Sequence, residues 1–223
     1  MSAVVVFGAG GNAGRRVVAR AVARGHQVTA VVRDPAKYSS SEYPELSGPG
    51  VALVAGDVTD PASVAAVSAG RDAVISAAYR ADLPSGEFFP AATRALLAGL
   101  PRAGVTRLLV VGLGTVLEAA PGVPLHDTPG FPAEARAFSL GHAAELELLR
   151  AADPELDWAV LAPPPSYLDA EGPGTGRYRL GGSAVLPAPA DAPLFAYADL
   201  AIALIDEIET PKHHRALVAV GPA

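Results

Sequence analysis

The chain alternates short, densely apolar runs with longer segments whose apolar residues recur at helical spacing. The first run, Val4-Val5-Val6-Phe7, predicts a strand buried on both faces of a parallel sheet. Over residues 12–24, Val17, Val18, Ala21 and Val22 share one face, while Arg15, Arg16, Arg20 and Arg24 occupy much of the rest. That pattern predicts an amphipathic helix stopped by Gly25. Further strands are predicted at Gln27–Val32, Val51–Ala55, 72–76, Arg107–Val111, 158–162 and 216–220. Helices are predicted at Pro61–Ser68, 89–100 and 198–209, the last with Leu200, Ile202, Ala203, Leu204, Ile205 and Ile208 as its apolar set. Asp60 ahead of Pro61 reads as a helix cap. Residues 39–50 read as a loop. Residues 172–193 lack helical pattern, and Tyr178-Arg179-Leu180-Gly181-Gly182 reads there as a hairpin or lid over the substrate side. Strand and helix signals in alternation imply an α/β fold around a parallel sheet.

Gly8, Gly11 and Gly14 lie between the first strand and the first helix with the spacing Gly-x-x-Gly-x-x-Gly. A glycine turn can merely connect two elements. In this position it also reads as a dinucleotide site, with Gly8 for the tight turn, Gly11 for close approach of backbone to a pyrophosphate, and Gly14 for close helix packing. The peptide nitrogens around Gly10, Gly11, Asn12, Ala13 and Gly14, with the positive end of the helix, suit phosphate oxygens. Arg15 stands near the same end.

Composition narrows the function classes. The chain has 223 residues, half of them hydrophobic, enough for a single domain spanning 1–223. A formal net charge of −6 argues against nucleic acid as partner. The absence of cysteine excludes disulfides, thiolate nucleophiles and zinc–thiolate sites. No stretch approaches the ~18–20 uninterrupted apolar residues of a membrane helix. The expectation is a cytoplasmic protein, monomer or homodimer, with a small-molecule substrate, no membrane partner and no metal.

The predicted strand ends carry the remaining candidates. In NAD-preferring sites an acidic residue follows the glycine loop by about 20 residues. Here Arg33 occupies that neighbourhood, with Lys37 one helical turn on. A guanidinium fork suits a 2′-phosphate, so NADP(H) is expected over NAD(H). Asp34 could still face a ribose, and Arg33 and Lys37 could be plain surface cations. After the third strand, Gly56, Asp57 and Val58 stand where such folds hold the adenine, with Asp57 as acceptor for the exocyclic amine and Val58 as cover. Ala77 and Ala78 are small enough to let a cofactor lie across the fourth strand tip, and Tyr79 and Arg80 open a loop towards the substrate. Gly112 and Leu113 after the fifth strand, and Pro163 after the sixth, complete the set.

The glycine loop, Gly56-Asp57-Val58-Thr59-Asp60, Asp72-Ala73-Val74-Ile75-Ser76-Ala77 and Leu109-Val110-Val111-Gly112 resemble the atypical short-chain dehydrogenase/reductases with NAD(P)H-binding, NmrA-like domains. By motif the chain is similar to bacterial NAD(P)-dependent reductases related to biliverdin reductase B, a flavin reductase. His126-Asp127-Thr128-Pro129, Leu161-Ala162-Pro163-Pro164-Pro165, Gly176-Arg177-Tyr178-Arg179-Leu180-Gly181-Gly182 and Tyr197-Ala198-Asp199-Leu200-Ala201 extend the resemblance over nearly the whole chain. It implies a Rossmann-like doubly wound parallel sheet, helices on both faces, and a small C-terminal extension on the substrate side.

One departure matters. The superfamily's Tyr-x-x-x-Lys helix reads here Phe138-Ser139-Leu140-Gly141-His142, and phenylalanine donates no proton. Three residues remain as candidates for chemistry. Thr115, at the fifth strand tip, could bond a substrate carbonyl or only cap a turn. His142 lies at a position that resembles a histidine of the flavin-reductase-like relatives, though a lone helical histidine can be structural or solvated. Tyr167 follows a proline run after the sixth strand and reads more as a wall of the nicotinamide pocket than as an acid. Hydride transfer itself asks the protein mainly for orientation and exclusion of water. The reading is an NADPH-dependent oxidoreductase acting on a flavin, quinone or similar conjugated acceptor. The alternative is a non-catalytic NADP(H) sensor, as some NmrA-like proteins are. Sugar-nucleotide epimerisation is disfavoured, because those enzymes resemble the tyrosine-bearing members. The adjacent His213 and His214 read as surface residues that point apart.

Overall fold

Val4 and Val6 face one side of a central sheet and Val5 and Phe7 the other, and this alternation sets up two hydrophobic cores. The computed structural model describes residues 1–187 and 193–223. In chain order, β1 (Ala3–Phe7), α1 (Asn12–Ala23), β2 (Gln27–Val32), β3 (Val51–Ala55), α2 (Pro61–Ser68) and β4 (Ala73–Ser76) form the first half. Next come α3 (Ser85–Ala103), β5 (Arg107–Val111), the small pair β6 (Glu118–Ala120) and β7 (Val123–Pro124), α4 (Ala133–Arg150) and β8 (Asp157–Ala162). The chain closes with β9 (Arg179–Leu180), α5 (Tyr197–Glu209) and β10 (Ala216–Gly221).

The main sheet has the order β3-β2-β1-β4-β5-β8-β10-β9, parallel throughout except where β9 runs antiparallel to β10. The chain builds outward from β1 through β2 and β3, then resumes on the other side of β1 with β4. A crevice opens at such a switch point, beyond the carboxyl ends of the strands. On one face α1 and α5 bury Val17, Val18, Ala21, Leu200 and Leu204 against Val4, Val6, Ile75 and Leu161. On the other, α2, α3 and α4 bury Val64, Phe88, Leu96, Leu146 and Leu149 against Val5, Phe7, Leu108 and Trp158. This is a Rossmann-like, doubly wound α/β sheet. Among the described residues, no helix is long and apolar enough to cross a membrane.

Local signals act as expected at several ends. Gly25 adopts φ +82° after α1, where a side chain would be strained. The Asp60 carboxylate accepts from the Ala62 and Ser63 amides at the head of α2. Elsewhere the structure departs from the pattern. α3 begins at Ser85, a full turn ahead of the start predicted at residue 89, because the Glu87 and Phe88 amides both bond the Pro84 carbonyl and carry Pro90 inside the helix. The segment around Tyr178 forms no hairpin. Arg179 and Leu180 pair with Gly221 and Val220, and the Gly181 amide donates to Ala219, so the segment completes the sheet edge away from the crevice. Of the stretch 172–193 read as lacking helix, residues 188–192 lie outside the described residues.

Candidate functional site

The turn after β1 is built on close approach. Gly8 sits at φ +74°, and a Cβ there would lie 2.5 Å from the Ala77 carbonyl oxygen at the tip of β4. A Cβ on Gly14 would lie 2.1 Å from the Gly8 carbonyl oxygen, so α1 rests directly on the loop. A Cβ on Gly10 would strike the Tyr38 hydroxyl at 2.2 Å. Gly11 is different: its nearest neighbour would be the Gly8 oxygen at 3.4 Å, and its φ of −82° is ordinary. No side chain caps α1, and the first bond in its ladder runs from the Arg15 amide to the Gly11 carbonyl at 2.9 Å. The Asn12 and Ala13 amides precede that bond, and both residues line the crevice at the positive end of the helix dipole, which favours an anion.

The crevice has a volume of about 590 Å³, within the usual range for small-molecule sites. It runs across the carboxyl ends of β1, β2, β3, β4, β5 and β8. Gly8, Gly10, Gly11, Asn12, Ala13, Arg33, Gly56, Asp57, Val58, Ala77, Ala78, Tyr79, Gly112, Leu113, His142, Pro163 and Tyr167 all line it. Gly14 lies beneath the loop, in the packing role its spacing predicts.

At the β2–β3 end, the Asp57 carboxylate accepts from the Thr59 amide at 2.8 Å and the Thr59 hydroxyl at 2.7 Å. Burial pushes this carboxyl up, but those two bonds and the positive charge of Arg80 and Arg33 more than reverse it, leaving it below the usual aspartate range. Asp57 therefore offers the crevice an ionised acceptor. Arg80 also lines the wall and is paired with Asp82 at 2.5 Å.

The opposite wall is aromatic. Tyr79 packs edge-on to Phe138 with ring centroids 5.6 Å apart, and parallel to Phe89 at 6.3 Å. The Phe89 and His142 rings lie 3.7 Å apart, and Phe138 meets the His142 ring at 5.5 Å. His142 Nδ1 is 3.0 Å from a Glu145 carboxylate oxygen, and both residues are buried. Tyr197, at the head of α5, lines the floor, and burial pushes its phenol up.

Three expected residues stand elsewhere. The Thr115 side chain points away from the crevice and bonds the Ser139 hydroxyl at 2.7 Å. Ser139 gives its single proton to the Ala135 carbonyl, so Thr115 donates to Ser139 and its proton is committed. The buried His126 also donates to the Thr115 carbonyl, which fixes that turn. Lys37 sits on a single turn after β2 with its side chain 76 % exposed, 4.0 Å from Asp34, and it does not line the crevice. Arg15 does not line the crevice and is engaged by Glu45 at 3.3 Å and by the Asn12 side-chain oxygen. Tyr167 lies at the mouth and is 91 % exposed, too open to shield anything by itself. His213 and His214 do point apart but are not idle surface residues: they bond Glu207 at 2.7 Å and Asp157 at 2.9 Å.

Sequence reasoning missed Tyr38, Phe89, Glu145 and Tyr197, whereas Arg80 lines the crevice beside Tyr79, on the loop expected to reach the substrate. Glu145 alone had a local signal, since it stands one helical turn from His142. The others reach the crevice only through tertiary packing.

Comparison with known proteins agrees with this geometry. A family described as NAD(P)H-binding matches residues 8–211. The uncharacterised protein YwnB of Bacillus subtilis is 34% identical over 210 residues, covering 93% of this chain and 92% of its own. A Burkholderia pseudomallei structure, provisionally described as an exported protein, is 36% identical with a TM-score of 0.83, covering 99% of each chain. A Streptococcus pneumoniae structure, provisionally named an NADH-flavin reductase, is 29% identical with a TM-score of 0.81, again over 99% of each. With its glycine turn, sheet order and crevice in place, the chain belongs to the NAD(P)H-binding family, an atypical branch of the short-chain dehydrogenase/reductases.

Proposed function

We propose that this protein is an NADPH-dependent oxidoreductase that reduces a flavin, quinone or similar flat conjugated acceptor. The residues present fit the coenzyme: the glycine turn leaves the Gly11 face open, and uncapped helix amides lie beside it. Gly8, Gly10, Gly11, Asn12 and Ala13 would hold the pyrophosphate, Asp57 and Val58 the adenine, and Arg33 a 2′-phosphate. Ala77, Ala78, Gly112, Leu113 and Pro163 would bound the nicotinamide half. When bound, the reduced coenzyme supplies a hydride.

The observation that carries the reading is the wall of Tyr79, Phe89 and Phe138 with His142 set into it, on the same crevice as the glycine turn. Aromatic rings suit a flat conjugated partner and exclude water from it. His142 takes the place of the tyrosine acid, with Phe138 at the tyrosine position of the Tyr-x-x-x-Lys pattern. Its Nε2 would deliver the proton that accompanies the hydride and regain one from solvent, so the acceptor gains both hydrogens.

The test is steady-state oxidation of NADPH by the purified chain with a panel of flavins and quinones, followed by the loss of reduced-nicotinamide absorbance. Turnover that falls about a hundredfold in His142→Ala supports the proposal. Tight binding of NADPH with no turnover of any acceptor overturns it in favour of the sensor.

A further inference from the structure

We propose that Glu145, backed by Thr93, is a positioning residue that decides which nitrogen of His142 carries the proton of the neutral ring; this rests on the role given to His142 above. Glu145 is 4% exposed and Thr93 1%, in the interface between α4 and α3. Leu146 and Leu149 fill neighbouring positions of that interface with apolar bulk. A carboxylate there is unfavourable unless its oxygens are bonded, and a hydrophobic residue of similar size would pack without that penalty.

Both oxygens have partners. Oε2 lies 3.0 Å from His142 Nδ1, and Oε1 lies 3.3 Å from the Thr93 hydroxyl. The single Thr93 hydroxyl proton is shared between Oε1 and the nearer Phe89 carbonyl, at 2.8 Å, and the Phe89 ring lies tilted against the imidazole. One turn of α3 thus steadies both the carboxylate and the ring it holds.

The chemistry follows from the donor count. An ionised carboxylate only accepts, so the proton of the pair sits on His142 Nδ1 whenever the ring is neutral. Nε2 is then the atom that gains and loses a proton. Among the described residues Nε2 has no hydrogen-bond partner, and His142 lines the crevice. With the opposite tautomer, Nε2 would already carry the proton of the neutral ring, and the group exchanging protons would face the helix interior. Glu145 therefore orients the histidine as a buried carboxylate orients a general acid–base imidazole.

The experiment uses the full chain labelled with 15N-histidine. Long-range 1H–15N spectra at a pH where His142 is neutral report its tautomer, with the signal assigned by its loss in His142→Ala. We expect the Nδ1–H form in the wild type, its loss in Glu145→Leu, and its retention in Glu145→Gln, which keeps an acceptor oxygen. Glu145→Leu should lower kcat about tenfold with KM and coenzyme Kd unchanged, and Glu145→Gln should recover most of it. In a His142→Ala background, Glu145→Leu should change kcat by less than about twofold, because it acts through the ring. An Nε2–H tautomer in the wild type overturns the proposal, and it does so without any variant having to fold. An unaltered kcat in Glu145→Leu also overturns it. If His142→Ala proves fully active, the role of His142 as proton donor fails instead, which is a separate result from the tautomer.

Discussion

The Gly8 carbonyl oxygen occupies the space that a Cβ on Gly14 would need, at 2.1 Å, whereas a Cβ on Gly11 would meet nothing nearer than that same oxygen at 3.4 Å. Two glycines of one motif thus answer to different constraints. Gly14→Ala forces backbone against backbone and should destabilise the fold by about 2 kcal/mol or more, lowering Tm. Gly11→Ala keeps an ordinary φ and should leave Tm within a few degrees, yet weaken NADPH by about tenfold by standing between the amides and the phosphates. Thermal melts beside coenzyme titrations check both. Equal loss of Tm in the two variants would refute the distinction.

Arg33 follows β2, lies at the edge of the crevice, and adds positive charge beside Asp57 and Asp82. Arg80 is paired with Asp82, while Arg33 has no hydrogen-bond partner among the described residues. Arg33→Ala should cost NADPH about 1.5–3 kcal/mol, some ten- to hundredfold in Kd, and leave NADH almost unchanged. Equal weakening of both coenzymes would mean that Arg33 does not read a 2′-phosphate.

The strand–loop–helix opening was legible because each of its signals is local: four apolar residues, a glycine spacing, a helical stripe. The residues at the carboxyl ends of the strands were legible for the same reason, since every strand in a parallel sheet delivers its following residue to one edge. What could not be read depended on contacts distant in sequence. Glu145 and Thr93 are joined across 52 residues, and Tyr38, in a stretch with no periodic signal, reaches Gly10 from beyond α1 and β2. Thr115 was misplaced because its hydroxyl turns to Ser139 on α4, a partner that no spacing within β5 reveals. Lys37 was counted as one helical turn from Arg33, but Pro35 starts a short turn that aims it into solvent.

Glu207 ties the carboxyl half of the sheet together. Its carboxylate is 2% exposed and accepts from Arg107 at 3.1 Å, from the Lys212 and His213 amides, and from the His213 ring at 2.7 Å. Burial pushes the carboxyl up, and the bonds from His213 and the two amides outweigh it, so it lies below its ordinary value of 4.5. A depressed folded value means the stabilisation is complete above pH 4.5 and is lost as pH falls through the folded value. Wild type should melt well above Glu207→Gln near neutral pH, and the gap should narrow on acidification below 4.5. A gap independent of pH would contradict this linkage.

Arg215 closes the end of α4. Its guanidinium donates to the Asp153, Leu156 and Ala152 carbonyls at 2.8, 3.0 and 2.9 Å, and its backbone sits at φ +49°. Arg215→Ala should destabilise by about 2–3 kcal/mol through the lost bonds. Arg215→Gly loses the same bonds but relieves the left-handed backbone, and should be about 1 kcal/mol more stable than the alanine variant. Urea denaturation of the pair reads the difference, and an alanine variant at least as stable as glycine would rule out the backbone contribution.

The account stands on the crevice being a coenzyme site, and isothermal titration of NADPH into chain stripped of bound nucleotide tests that most directly. The expected result is saturable heat from one site per chain, with Kd raised about tenfold in Gly11→Ala. Absence of heat with both NADPH and NADH, from protein whose melting curve shows it folded, would contradict the account.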